Sequence, residues 1–221
     1  MVKLTPDLLL RAYGAGMFPM AERAQDPSLY WVDPDRRGVI PLDGLHIARR
    51  LKKTIRQGRF EVTADHDFAA VIDACAESTP ERRTTWINET LVKVVGELHG
   101  LGYAHSIECW REGRLAGGLY GIALKGAFFG ESMFSRARDA SKVALAHLVA
   151  RLRRGGFTLL DSQFLTAHLA QFGAHEIPKE AYRNRLAAAL EVAARWIPTI
   201  EPAVLSAEIR AMRGSGADAA A

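Results

Sequence analysis

The segment LLDSQF, residues 159–164, ends an apolar run with a carboxylate and a carboxamide. The residues FTLL before them predict a buried strand, and side chains two positions apart on a strand lie on the same face. We therefore expect Asp161 and Gln163 to lie side by side, where they can hold a polar reactant. The alternative is structural: Asp161 caps a helix that begins near Phe164.

A second acid, Glu131, directly follows the apolar segment GAFFG. A bare carboxylate is costly to bury, so a carboxylate at this position needs a reason. The sequence leaves two reasons open, a role in a functional site or an ion pair with Arg136 or Arg138.

A basic segment lies in the first third of the chain. RRLKKTIRQGR, residues 49–59, contains six cations and no acid. A helix is predicted from about Leu45 to Arg56, and Arg49, Lys53 and Arg56 fall at i, i+4 and i+7 on one face of it. Such a face either is simply solvated or contacts a polyanion such as nucleic acid.

The composition limits the class of protein. The chain has 221 residues, a net charge of +4, 48% hydrophobic and 24% charged residues, which is typical of a soluble globular protein. No apolar run is long enough for a transmembrane helix, and the first residues do not look like a signal peptide. The two cysteines, Cys75 and Cys109, have no metal-ligand spacing, so we expect a reduced, cytoplasmic protein without a metal.

The predicted elements surround these residues in a recognisable order. Residues 62–185 are predicted as a strand, helices, a three-stranded antiparallel meander, a helix, a strand and helices. This order is similar to that of the acetyl-CoA-dependent N-acetyltransferases (GNAT-type), which predicts an α/β (α+β) fold with a mixed, largely antiparallel sheet flanked by helices. Three parts are expected: a small N-terminal α/β domain (1–61), an acyltransferase-like catalytic domain (62–205) and a disordered tail (206–221).

The coenzyme A signature of those enzymes is missing. They bind the pyrophosphate with an R/Q-x-x-G-x-G/A loop at a helix start. The corresponding segment here, ESMFSRARDASK from residue 131, contains no glycine. A coenzyme A thioester is therefore not the expected acyl donor.

Several long motifs resemble one bacterial family. YGAGMFPM, WVDPDRRGVIPLDGLHIARRLKK, TTWINETL, GYAHSIECW, GGLYGIALKGAFFGESMFSR and LLDSQFLTAHLAQFGAHEIP are similar to the leucyl/phenylalanyl-tRNA–protein transferases over roughly residues 7–186. The resemblance implies a cytoplasmic enzyme without metal or organic cofactor. It implies transfer of Leu or Phe, with Met left open, from aminoacyl-tRNA to proteins beginning with Arg or Lys, which feeds N-end rule degradation.

The resemblance also implies a reacting centre. Asp161 and Gln163 match the positions that the family is thought to use there. Asp161 would hold Gln163 or the incoming amine, and the carbonyl oxygen of Gln163 would accept a hydrogen bond from that amine. Whether Gln163 or the substrate itself moves the proton stays open. Glu131 would contact the 3′ nucleotide of the donor or the basic side chain of the acceptor.

The remaining site residues follow from the same resemblance. It implies a donor side-chain pocket, adenosine contacts and a tRNA contact on the basic helix. The adenosine residues are Trp86 and either Met20, which stands where the family pattern has Trp, or Trp31. The pocket residues are Leu119, Phe128, Met133, Leu145 and Leu148, and the tRNA residues are Arg49, Lys53 and Arg56.

Three other interpretations remain. One is a related peptidyl transferase with another donor or acceptor preference. The second is an acetyl-CoA-dependent N-acetyltransferase, and the third is a non-catalytic tRNA-binding module. A monomer without membrane contact is expected in each case.

Overall fold

The computed structural model describes residues 4–78 and 84–214. The helices are α1 (Pro6–Gly14), α2 (Arg49–Arg56), α3 (Phe68–Ala76), α4 (Glu89–Gly100), α5 (Ala140–Gly155), α6 (Ala167–Ala170), α7 (Lys179–Leu190) and α8 (Pro202–Ala211). The strands are β1 (Phe18–Met20), β2 (Tyr30–Val32), β3 (Arg36–Val39), β4 (His46–Ile47), β5 (Glu61–Ala64), β6 (Ala104–Arg111), β7 (Arg114–Leu124), β8 (Ala127–Ser135), β9 (Leu159–Gln163), β10 (His175–Pro178) and β11 (Arg213–Gly214). Helices and strands alternate from α5 to α7, whereas β1–β4 and β6–β8 follow one another directly.

One large sheet organises the fold. Its seven strands have the order β10-β3-β9-β8-β7-β6-β5. All neighbours are antiparallel except β8 and β9, which are parallel and are connected through α5. Two small two-stranded sheets, β1-β2 and β4-β11, accompany it.

The parallel pair β8–β9 opens partway along its length. It pairs from Ala127↔Leu159 to Phe129↔Asp161 and no further. Beyond that point β8 continues against β7 alone, while β9 pairs with β3. The two strands therefore separate, and the polar residues 130–133 and 161–163 lie on either side of the opening.

The period-two pattern of the strands builds two hydrophobic cores. Tyr120 and Ile122 belong to a core with α1, α3, α4 and α7, whereas Leu119 and Ala123 belong to a core with α2, α5 and α8. The chain is thus three layers, with the sheet between two layers of helices. None of the helices in the described ranges is long and apolar enough to cross a membrane.

Most elements agree with the sequence. The mixed, largely antiparallel sheet flanked by helices is confirmed, as is the meander β6-β7-β8. Thr5 and Asn88 are the N-caps of α1 and α4. Four short strands were missed, β1, β4, β10 and β11. They have only two to four residues, too few for a period to be seen, and β4 occupies the start of the helix that was expected from about Leu45.

The ends of the chain differ from the expected division. Strand β3 pairs within the large sheet, between β9 and β10, so residues before 61 contribute to it. The division into domains at residue 61 stays a prediction. Disorder from residue 206 does not hold for the first part of that stretch, since α8 continues to Ala211 and buries Ile209 and Met212. The remainder of the expected tail, 215–221, lies outside the described residues.

Candidate active site

Asp161 is the centre of a buried charged cluster. Its carboxylate is fully buried and accepts bonds from Arg37, with Nη2 to Oδ2 at 2.7 Å and Nε to Oδ1 at 3.0 Å. The Tyr182 hydroxyl donates to Oδ2 at 2.6 Å. Arg37 also donates to the carbonyl of Gly16 at 3.0 Å and lies between the rings of Phe18 and Tyr182. With so many donors and no exposure, Asp161 positions its neighbours and has no oxygen free for a substrate.

Gln163 is held by its backbone. Its N–H donates to Asp161 Oδ1 at 2.8 Å, and its φ of 57° lies in the left-handed region, which is uncommon for a residue other than glycine. The register between β3 and β9 shifts here, with Ser162 as the extra residue. Gly38 permits this bulge, because a Cβ at Gly38 would lie 2.8 Å from the Phe164 carbonyl carbon and 2.9 Å from Ser162 Oγ.

The expected proximity of Asp161 and Gln163 is present, but its cause differs from the one inferred. The bulge interrupts the period-two alternation, and the contact runs through the backbone of Gln163.

The helix-cap alternative for Asp161 was wrong. Helix α6 begins at Ala167, and its N-cap is Thr166, whose side chain accepts from Leu169 N.

Glu131 faces Gln163 across the opening between β8 and β9. Gln163 Nε2 donates to Glu131 Oε1 at 2.8 Å, and the Tyr13 side chain lies nearby. Removal from water raises the pKa of Glu131 to about 7; the Tyr13 hydroxyl opposes this increase, and the nearby charge of Asp161 adds to it. An ion pair of Glu131 with Arg136 is not formed, since Arg136 pairs with Glu77 at 2.7 Å.

These contacts fix the roles of the polar atoms. Because Nε2 of Gln163 donates to Glu131, its Oε1 is the atom left to accept a bond from a ligand. Burial and the adjacent carboxylates raise the pKa values of Tyr13 and Tyr182 well above the ordinary value, so both hydroxyls stay protonated. Glu131 is thus the group of this cluster that titrates near neutral pH.

A cavity of about 770 Å³ opens above this cluster. Asp161, Gln163 and Glu131 line its polar side. Its remaining wall is mostly apolar and comes from β7, β8, β9 and one face of α5. The predicted pocket residues found in this wall are Leu119, Met133, Leu145 and Leu148. A volume of this size is typical of sites for small molecules.

Two polar atoms in the cavity wall lack a partner. Ser162 Oγ and His168 Nε2 are buried and make no hydrogen bond within the described residues. Burial lowers the pKa of His168, so its imidazole is neutral at neutral pH. Buried polar groups are normally bonded, and these two atoms are therefore available to a ligand.

Two of the predicted residues lie elsewhere. Phe128 is fully buried but is not among the residues that line the cavity, although its register partner Leu160 is. Its ring packs near Trp196 and Phe157 instead. Trp31 is 40% exposed on β2 and also lies outside the cavity wall, whereas Trp86 and Met20 line it.

The basic helix is present as a charged surface. Arg49, Lys53 and Arg56 are exposed on α2, while Leu51 and Thr54 on the same helix are buried. None of the three cations forms an ion pair within the described part of the chain. They are therefore free to contact an anion.

The sequence did not single out Arg37, Tyr13 or Tyr182. Arg37 is 124 residues from Asp161, and nothing in the local pattern distinguishes it from Arg36, which is exposed and pairs with Glu176. One signal was available for Arg37: it precedes an apolar run, VIPL, so a charge there needs a partner.

An apolar cavity that ends at an ordered amide and a carboxylate with a pKa near neutrality has the arrangement of an acyl-transfer enzyme. Comparisons with known proteins agree. The family description "Leucyl/phenylalanyl-tRNA protein transferase" matches residues 39–187, and that of the N-terminal domain of the same family matches residues 3–35. The chain belongs to this family.

Individual relatives are close. The leucyl/phenylalanyl-tRNA–protein transferase of Paramagnetospirillum magneticum is 58% identical over 187 residues, covering 85% of this chain and 90% of its own. That of Rhodopseudomonas palustris is 58% identical over 189 residues, covering 86% and 84%. Among solved structures, a functionally unknown conserved protein from Staphylococcus epidermidis is 12% identical, with 80% and 66% coverage and a TM-score of 0.39, a similarity too low to support an inference.

Proposed function

We propose that the protein transfers Leu or Phe from aminoacyl-tRNA to the N-terminus of proteins that begin with Arg or Lys. The observation that carries this function is the hydrogen-bonded pair of Gln163 and Glu131 at the polar end of the apolar cavity. The name that the relatives share supports the same activity. In the family, such transfer marks proteins for N-end rule degradation in the cytoplasm, and we propose this role here.

The apolar wall suits the donor side chain. Leu119 and Met133 are directly opposite each other on β7 and β8, and Leu145 and Leu148 approach from α5. A flexible Met lets such a pocket accept both a branched and an aromatic side chain. We propose that the donor side chain lies here, with its ester near Gln163.

The adenosine of the donor has a separate wall. Trp86, Met20 and Phe18, which come from the first part of the chain, line the cavity together. Aromatic stacking on a base contributes about 1–3 kcal/mol. We assign adenine contact to Trp86 and Met20, and not to Trp31, which the cavity does not reach.

The reaction is aminolysis of an ester. The amine nitrogen attacks the carbonyl carbon, the ester C–O bond breaks, and a proton passes from nitrogen to the 3′ oxygen. We propose that Gln163 Oε1 accepts a bond from the amine and that Glu131 accepts the amine proton. A neutral amide is a poor base, whereas a carboxylate with a pKa of about 7 is matched to this task. Asp161, Arg37 and Tyr182 act as positioning residues.

The tRNA is proposed to cross α2. Arg49, Lys53 and Arg56 supply phosphate contacts, which position the tRNA without reading its sequence. A smaller polar pocket of about 290 Å³, lined by Arg50, Arg138 and Lys142, lies between α2 and the residues after α6. Because α6 also borders the catalytic cavity, this pocket is suited to phosphates near the 3′ end.

We also propose a more specific fold assignment. The strand order and the opening between β8 and β9 support an acyltransferase-like (GNAT-type) architecture. We propose that the chain acts as a monomer without an organic cofactor.

A competition assay tests the function. The protein is incubated with Leu-tRNA, acetyl-CoA and a peptide that begins with Arg, and the product mass is measured. We expect addition of Leu to the peptide N-terminus and no acetylation. Acetylated peptide would favour an acetyltransferase, and unmodified peptide with retained tRNA binding would favour a tRNA-binding module.

A further inference from the structure

A second large cavity lies on the other side of α5. Its volume is about 670 Å³, and it is enclosed by α2, α5, α8 and the start of β5. On α5, Leu145 and Leu148 face the catalytic cavity, whereas Val143, His147 and Arg151 face this one. The two cavities are therefore separate and share one helix as a wall.

The charges around this second cavity have one sign. Five cations line it and no acid does: Lys52, Arg56, Arg59, Arg151 and Arg210. Arg56, Arg59 and Arg210 are exposed at the rim. Convergent cations without acids attract an anion.

One of these cations is buried without adequate partners. Arg151 is 4% exposed, and its Nε has no hydrogen-bond partner in the described residues. Its Nη1 reaches only His147, with the carbonyl at 3.3 Å. Glu108 and Asp65 act on its charge from a distance but form no ion pair with it within the described ranges. A buried guanidinium with an unused donor is expected to have a ligand.

The rest of the wall is mostly apolar, with Thr54, His147 and Ser206 as its other polar residues. Phe60 provides an aromatic ring, and Ile55, Val62, Leu205 and Ile209 surround it. A site with cations at one side and an aromatic and aliphatic wall fits a ligand that has an anionic group on a flat apolar body. Arg side chains bind phosphate in a bidentate manner.

We propose that this cavity binds a nucleotide, with its phosphate at Arg151 and Arg210 and its base against Phe60. The volume lies within the range of pockets for ligands of that size. The nucleotide is either free or part of an RNA strand. The site is distinct from the catalytic cavity, because the two share no lining residue among those the structure describes, and only Arg56 belongs also to the proposed tRNA contact on α2.

Calorimetric titration with adenosine 5′-monophosphate tests the site. We expect Arg151→Met to weaken binding at least tenfold and Arg210→Gln at least threefold. Arg154→Gln, which removes an exposed cation of the same helix outside the cavity, is the matched control and should bind normally. Trp86→Ala removes the adenine contact proposed in the catalytic cavity, and it should keep the binding that Arg151→Met and Arg210→Gln weaken. Thermal unfolding confirms that Arg151→Met is folded, and Arg210→Gln keeps the test valid if it is not.

Several results would overturn the proposal. The first is that the wild type does not bind adenosine 5′-monophosphate. The second is that its affinity is unchanged in Arg210→Gln and in Arg151→Met, if the latter is folded. The third is that binding is lost in Trp86→Ala alone. Inorganic phosphate or adenosine that binds as tightly as the nucleotide would also contradict it. A single-stranded tetranucleotide distinguishes the two sources: tighter binding than the free nucleotide, lost in Arg210→Gln, assigns an RNA strand, and weaker binding assigns a free nucleotide.

Discussion

At the scale of single residues, Glu131 is the group that we propose sets the pH range in which transfer occurs. Its pKa of about 7 results mainly from removal from water. We predict that the single-turnover rate of transfer rises with a midpoint near pH 7 as Glu131 ionises. Glu131→Gln should remove this step and lower the rate about 10²-fold or more.

The acceptor amine provides the control for this profile. An α-amine titrates at about 7.7–8.0, so its own step should remain in Glu131→Gln. Rates are measured from pH 5.5 to 9 with a saturating donor. Profiles of the same shape in both proteins would show that Glu131 does not accept the proton.

The same residue predicts a pH dependence of stability. The pKa of Glu131 is raised from 4.5 when the protein folds, so the folded state holds this proton more tightly. Its contribution is present below pH 4.5 and is lost as the pH rises through about 7. Glu131→Gln cannot ionise, and it should be more stable than the wild type at pH 8 by about 1–2 kcal/mol, allowing for partial exposure.

Urea denaturation at pH 5 and pH 8 measures this effect. The difference in the free energy of unfolding between variant and wild type should grow from pH 5 to pH 8. A difference that does not change with pH would mean that Glu131 is as well solvated in the folded protein as in the unfolded chain.

At the scale of elements, we propose that α2 binds the tRNA and that the meander β6-β7-β8 forms part of the donor side-chain pocket, so the two roles can be tested separately. We predict that reversing the charges of Arg49, Lys53 and Arg56 weakens tRNA binding and flattens its dependence on salt. Each lost duplex phosphate contact lowers the salt slope by about 0.9. Binding is measured as the tRNA Kd between 50 and 200 mM salt.

Two controls accompany this variant. Lys93→Glu with Arg185→Glu reverses exposed charges on α4 and α7, in the opposite helical layer, and should change tRNA binding little. Transfer from a short aminoacyl-adenosine should be nearly normal in the α2 variant. Equal losses with the fragment and with full tRNA would give α2 a structural role only.

The donor pocket makes a prediction about selectivity. Met133→Ala removes wall atoms that a Leu side chain cannot replace but that Phe partly can. The Phe/Leu ratio of transfer rates should rise roughly fivefold, which corresponds to a change of about 1 kcal/mol in the difference between the two activation free energies. Stability should fall by about 1–2 kcal/mol, because Met133 also packs against the core.

Phe128 is the matched control for the pocket. It lies on the same strand but outside the cavity, so Phe128→Leu should cost stability without changing the Phe/Leu ratio. A ratio that is unchanged in Met133→Ala, or that changes equally in Phe128→Leu, would place the donor side chain elsewhere.

Sequence patterns were informative at this scale where they were long. The meander and α5 show their periods over ten residues or more, whereas β10 and β4 are too short to show one. Phe128 looked like a pocket residue because its type and strand were right. Only the packing of its ring near Phe157 and Trp196, which no local pattern shows, accounts for its place outside the cavity wall.

At the scale of the whole molecule, residues from separate parts of the chain meet at the site. Arg37 on β3 neutralises Asp161 on β9, and Tyr182 on α7 bonds to the same carboxylate. The contact of Arg37 with Asp161 spans 124 residues and that of Tyr182 spans 21, so neither leaves a local pattern, which is why the sequence indicated Asp161 but not its partners. Breaking a buried ion pair of this kind costs about 3–5 kcal/mol.

This arrangement predicts that the catalytic part depends on the first 61 residues. A chain that begins at residue 62 lacks β3 and leaves the Asp161 carboxylate buried without Arg37. It should not unfold cooperatively in urea, whereas the full chain should show one transition. A sharp transition of the shortened chain, with a near-ultraviolet circular dichroism spectrum like that of the full chain, would establish residues 62 onward as an independent domain.

The central claim is that an oriented Gln163 beside Glu131 promotes transfer of the donor aminoacyl group. The most direct measurement is the single-turnover rate from Leu-tRNA to an Arg-initiated peptide in Gln163→Ala, with Leu-tRNA affinity measured on the same protein. Gln163 is held through its backbone N–H, so the variant should keep the fold. The account predicts a rate at least about 10²-fold lower with affinity within twofold of the wild type. A rate close to that of the wild type would contradict it.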